Sequence, residues 1–150
     1  MVRLYNTKMR SIDFLQQFDL SQLRSIQIEK TPLTTIPHFF SQIPLLSNVY
    51  IRDCELESIP ESFWDRENIF DVDFSRNQLT FLPDSIQCHS TLVGLVLDGN
   101  FFEQIPDLVF KSPHLNMLEM KHNRIAEIPD EITRLKELSW LDLSHNRVVN

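Results

Sequence analysis

Apolar side chains recur along this chain every 23 residues. Leu23, Leu46, Ile69, Leu92, Leu115 and Leu138 stand in phase. Three residues on come Ile26, Val49, Val72, Leu95, Leu118 and Leu141, and two further on Ile28, Ile51, Phe74, Leu97, Met120 and Leu143. After a polar interval Leu33, Leu56, Leu79, Phe102, Ile125 and Val148 fall in register, and Ile36, Ile59, Leu82, Ile105 and Ile128 stand just before prolines. Five of the eight prolines, Pro37, Pro60, Pro83, Pro106 and Pro129, keep the same spacing. Every position in these columns is apolar. Chance does not produce this, so the chain is one supersecondary unit copied along its length.

Each copy holds a short alternating stretch, such as Leu118-Glu119-Met120 or Leu141-Asp142-Leu143. Alternation with period two is the mark of a half-buried strand. So short a strand cannot bury its apolar face alone, but parallel stacking of the copies lets each cover its neighbour. A second column runs Thr31, Cys54, Asn77, Asn100, Asn123 and Asn146, with Thr7 in place after one extra residue. Here the chain turns inward, and side-chain amides carry the donors and acceptors that satisfy buried backbone. Thr31 and Cys54 are weaker substitutes, so the N-terminal part of this ladder is expected to be looser. Beyond each proline the pattern is Pro-x-x-apolar, with an acid after the proline at Glu61, Asp84, Asp107 and Asp130. Proline sets φ for a turn, and an acid meets the free N–H groups of a helical start. Short helices or 3₁₀ turns are expected there, the best of them over Asp130 to Leu138. The first copy is degenerate: Val2, Leu4, Thr7, Met9 and Ile12 are in phase, but Asp13 replaces the proline.

The run Leu115-Asn116-Met117-Leu118-Glu119-Met120-Lys121-His122-Asn123-Arg124-Ile125-Ala126-Glu127-Ile128-Pro129 resembles the LxxLxLxxNxLxxIP signature of the leucine-rich repeat. The 23-residue length with IPxxI is similar to the class found in Ras-signalling scaffolds, plant intracellular repeat proteins and many bacterial repeat proteins. The resemblance covers essentially the whole chain. It implies an α/β fold: a right-handed, curved leucine-rich-repeat solenoid, with a parallel sheet on the concave face and short helices or 3₁₀ turns on the convex face. Residues 1–150 are then one repeat domain of about seven turns, the first degenerate and the last cut short.

Composition narrows the function. The chain has 150 residues, a net charge of −7 and only 2 Gly. Gly-rich phosphate loops are excluded, because their glycines are sterically required. Nucleic-acid binding is disfavoured for want of a positive footprint. Cys54 and Cys88 make neither a disulfide framework nor a paired metal-ligand spacing. No secretory leader, membrane-length apolar run or Asn-x-Ser/Thr acceptor is visible, so a cytoplasmic location is expected, with bacterial secretion as the alternative. No polar cap follows the strand around Leu141 to Leu143. That end is expected to be cut from a longer chain or covered by another molecule, and to self-associate when bare.

Little supports catalysis. His-Glu-x-x-His, Gly-x-Ser-x-Gly and Cys-x-x-Cys are all missing. Cys88-His89 reads as a half-buried thiol beside an exposed histidine on a convex loop. His122 and His145, at equivalent positions of adjacent copies near Glu119 and Asp142, are a weak candidate for a metal pair. No cofactor is expected.

The resemblance implies a non-enzymatic module that binds a protein partner on its concave face. Alternatives are an exported bacterial repeat factor that binds a host protein and the repeat fragment of a larger signalling protein. Apolar groups concentrate late in the chain at Val96, Phe101, Met117 and Trp140, rimmed by Arg124, Asp142, Glu119 and Lys121. Exposed aromatic and Met side chains with a charged rim have the composition of an interaction hot spot. Tyr50 and Arg52 form a smaller, separate candidate. Trp64 falls on the convex side and reads as packing.

Overall fold

The computed structural model of the chain describes residues 1–83 and 89–149. Seven short strands lie among them: β1 (Val2–Tyr5), β2 (Ser25–Glu29), β3 (Asn48–Arg52), β4 (Asp71–Asp73), β5 (Gly94–Val96), β6 (Met117–Glu119) and β7 (Trp140–Asp142). They pair in chain order, all parallel, in one open sheet. The register follows the repeat: Ile26 faces Val49, Val72 faces Leu95, and Leu118 faces Leu141. Parallel neighbours require a crossover outside the sheet, and the repeated crossover winds the chain into a right-handed solenoid.

The alternation does what the sequence predicts. In β2 and β3 every second side chain is buried, namely Ile26, Ile28, Val49 and Ile51. These join the other repeat columns in one hydrophobic cluster, with Phe40, Phe63, Phe74 and Phe102 among its largest fully buried members. On the convex side two one-turn helices, α1 (Glu61–Trp64) and α2 (Asp107–Phe110), follow prolines in extended conformation. The turns Asp13–Gln17, His38–Gln42 and Asp130–Arg134 are 3₁₀. The helical segment expected over Asp130 to Leu138 is a 3₁₀ turn that stops at Arg134, so its extent is corrected. Leu135 swings into the core, 7% exposed, and its N–H closes back on Ile132. The chain must then straighten to begin β7. The stretch after Pro83, with Asp84 and Ile86, lies outside the described residues.

The ladder holds the turns together. Asn100 Nδ2 donates to the carbonyls of Phe74 (3.0 Å), Leu97 (3.0 Å) and Asp98 (3.3 Å), while its Oδ1 accepts from Leu79 N–H (3.0 Å). Asn77, Asn123 and Asn146 repeat the arrangement. Each amide reaches back into the preceding repeat, so it satisfies buried backbone and also ties neighbours together. The N-terminal rungs make fewer contacts. Cys54 Sγ donates to Arg52 O (3.2 Å) and reaches Ile28 O at 3.9 Å. Thr31 donates to Glu29 O (3.3 Å) and meets Thr7 at 3.1 Å. The residue before each rung takes a left-handed conformation: Asn6, Lys30, Asp53, Arg76, Gly99, His122 and His145 have φ between 48° and 62°. Glycine fills this position only once, so the strain is borne by the ladder's hydrogen bonds.

Two buried polar groups, Arg66 and His89, occupy one repeat position, the one that holds Ile43, Ser112 and Leu135 in other copies. Arg66, 8% exposed, sends its guanidinium to the carbonyls of Phe40, Ile43 (2.5 Å) and Leu46 (2.7 Å). It thereby caps the end of the His38–Gln42 turn one repeat back. Its charge is stabilised by carbonyl oxygens, and burial draws its pKa down. His89 is also buried, 4% exposed, which corrects the expectation of a solvated histidine. Its ring meets the edge of Trp64 at 5.5 Å, and its backbone N–H donates to Lys111 O at 3.0 Å. Trp64 itself packs on Phe63 and Phe74, as its convex position implies. Cys88 lies outside the described residues.

Burial lowers the pKa of His89, so the fold favours its neutral ring. Its stabilising contribution is complete above the ordinary value of 6.5 and is lost as pH falls through the lower folded value. Urea midpoints are expected to decline from about pH 7 to about pH 5, and less steeply in His89→Gln. An identical decline in the variant would remove His89 from this role.

Candidate binding face

The side chains between the buried ones project from the concave side of the sheet in three rows. The middle row, fixed by strand register, is Arg3, Gln27, Tyr50, Asp73, Val96, Glu119 and Asp142. The row before it is Ser25, Asn48, Asp71, Gly94, Met117 and Trp140. The row after it holds Tyr5, Glu29 and Arg52, followed in phase by Ser75, Asp98, Lys121 and Ser144.

Met117 and Trp140 are direct register partners, and Val96 stands beside Glu119 one step along the strands. Trp140 is 55% exposed, and Met117 and Val96 are half-buried. These three share one surface. Phe101 does not join them. It lies past its ladder rung on the edge of the solenoid, where the Arg124 guanidinium stacks over its ring at 4.6 Å. Phe101 and Arg124 thus form a second, smaller surface.

Tyr50 and Arg52 are tied into the face. The Tyr50 hydroxyl donates to Asp71 Oδ2 (2.7 Å) and accepts from Asn48 Nδ2 (3.2 Å), and burial raises its pKa. Arg52 lies 5.1 Å over the Tyr50 ring and donates through Nε to Asp73 Oδ2 at 2.5 Å. The network depends on Gly94. A Cβ there would come within 2.3 Å of Asp71 Oδ1, so only glycine lets this carboxylate lie across the neighbouring strand. The sequence singles out Tyr50 but carries no sign that a glycine in the second strand over makes room for its partner.

Further along, Lys121 Nζ stands among three carboxylates: Asp98 Oδ2 at 3.4 Å, Asp142 Oδ2 at 3.6 Å and Glu119 Oε2 at 3.7 Å. Asp98 also accepts from Lys121 N–H at 2.7 Å. The carboxylates hold the Lys121 ammonium above its ordinary pKa. Burial raises the Asp98 carboxyl despite the neighbouring lysine, and the Ser144 hydrogen bonds lower that of Asp142. Nearer the N-terminus, in the turns after β3 and β4, Arg76 binds Asp53 through two short hydrogen bonds and holds its carboxyl low. His122 and His145 stack face to face, centroids 4.2 Å apart and 8° from parallel. Among the described residues no group of three or more His, Cys, Asp or Glu side chains converges on a point that could hold a metal.

Comparison with known proteins agrees with this architecture. Residues 90–148 match the family model described as leucine rich repeat. Similar solved structures include an internalin from Listeria monocytogenes, TM-score 0.82 at 17% identity, covering 100% of this chain and 43% of that one. A leucine-rich-repeat protein of Leptospira interrogans aligns with TM-score 0.68 at 23% identity over 97% of this chain and 43% of its own. The plant peptide hormone receptor RGFR1, solved in complex with RGF2, aligns with TM-score 0.72 at 27% identity over 84% of this chain and 21% of its own. The chain spans less than half the length of each of these structures. No curated protein matches its sequence. The chain thus has the leucine-rich-repeat fold, and residues 90–148 carry the repeat that the family model describes. Folds of this kind commonly mediate protein–protein interaction, and none of the helices among the described residues is long and apolar enough to cross a membrane.

Proposed function

We propose that the chain is a non-enzymatic interaction module that docks a protein partner on its concave sheet face. The observation that carries this reading is the pairing of Trp140, 55% exposed, with Met117 on a surface whose backbone is fixed by strand register. A large aromatic beside a flexible thioether supplies the anchor of an interface, and the carboxylates around them supply its polar rim. Since the face is rigid before docking, little ordering entropy is lost on binding. Val96 extends the patch, Phe101 and Arg124 add a contact at the edge, and Tyr50 with Arg52 offers a second point toward the N-terminus. The neighbouring folds add support: one of the similar structures is a receptor solved with its peptide hormone.

Trp140→Ala tests the reading. The side chain points outward, so circular dichroism and urea stability are expected to stay near wild type. Affinity for a protein partner is expected to fall by about 2 kcal/mol or more. Unchanged affinity would reject the assignment.

A further inference from the structure

The concave face is electrically lopsided. Its first three strands present Arg3, Arg52 and Glu29. Its last four present Asp71, Asp73, Asp98, Glu119 and Asp142 against Lys121 alone. Arg52 is already bound to Asp73 and Arg76 to Asp53. Lys121 answers three carboxylates, Asp98, Glu119 and Asp142, with one ammonium, which leaves two negative charges in excess. All three are partly open to solvent, with side chains 19%, 21% and 26% exposed. Glu119 and Asp142 lie two residues along the same strands from Met117 and Trp140, on the same face.

Resting on the docking reading above, we infer that the partner presents a basic segment, one or more Lys or Arg side chains next to an apolar residue, to the C-terminal half of this face. Lys121 shows the chemistry the carboxylates accept, since a primary ammonium already sits among them. An incoming cation would meet the uncompensated charge while its aliphatic stem or apolar neighbour lies on Met117 and Trp140. An acidic segment would meet like charge on β4, β6 and β7 and at Asp98 just past β5.

A random peptide library displayed on phage and selected against the full chain tests this. Enriched sequences are expected to pair Lys or Arg with aliphatic or aromatic residues. For the leading synthetic peptide, the double variant Glu119→Gln, Asp142→Asn is expected to weaken binding about tenfold. Lys121→Met should strengthen it, and raised salt should weaken it. Enrichment of neutral or acidic sequences that still depend on Trp140 overturns the charge assignment and leaves the docking face standing. So does binding indifferent to the double variant. Selected peptides unaffected by Trp140→Ala and Met117→Ala, or no enrichment at all, overturn both.

Discussion

Asn100→Ala is expected to destabilise the fold by about 2–3 kcal/mol, read as a lowered urea midpoint. The amide is 2% exposed and makes four hydrogen bonds that span two repeats. Its loss is not spread evenly. The carbonyls of Phe74 and Leu97 keep bonds from Asn77 and Asn123, and that of Asp98 keeps one from Arg76 N–H. Leu79 N–H loses its side-chain acceptor, and an alanine leaves no atom to replace it. Most of the cost is therefore one orphaned buried donor plus the lost tie between turns. Thr31→Ala, in the same column near the N-terminus, should cost about 1 kcal/mol, since Thr31 makes one hydrogen bond within its turn and one contact with Thr7 of the preceding repeat. Equal costs at the two positions would show that the ladder does not grade along the solenoid.

Leu118→Ala is expected to cost about 2–5 kcal/mol through the cavity it leaves. Leu118 is fully buried between register partners Leu95 and Leu141. Close packing on the Leu95 side limits how far neighbours can collapse into the space. Leu141 occupies the same column but is 42% exposed, so Leu141→Ala should cost a fraction of that. Denaturation of the two variants in parallel separates burial from residue type. Comparable losses would mean that the Leu141 face is covered in solution.

The strands and the ladder were legible because each reflects a need that recurs in every copy. A buried face must be apolar at alternate positions, and an inward turn needs an amide. Their spacing identifies the sheet order down to the facing pair of Leu118 and Leu141. A column whose residue type changes from copy to copy, Ile43, Arg66, His89, Ser112 and Leu135, left no such trace. Arg66 is buried on account of three carbonyls left by a turn one repeat away, and nothing near it in sequence marks that need. His89 enters the core because Trp64 offers it an edge. The Asp130 turn ends where Leu135 meets the core, at the repeat position that Ile43, Arg66, His89 and Ser112 occupy in the other copies.

The face was legible in part. Trp140, Met117 and Val96 could be placed together from their columns, because strand register carries them there. The separation of Phe101 and Arg124 onto the edge could not, because it follows from the geometry of the turn past the rung. The carboxylates around Lys121 belong to three successive strands, so their convergence appears only once the strands are side by side.

Site-specific photo-crosslinking in the native cell tests the concave docking face most directly. A photoreactive residue replaces Met117 in one variant and Phe18, exposed on the convex side, in another. A discrete protein adduct from position 117, abolished by Trp140→Ala, with none from position 18, is the expected result. An adduct from position 18 and none from position 117 would contradict it.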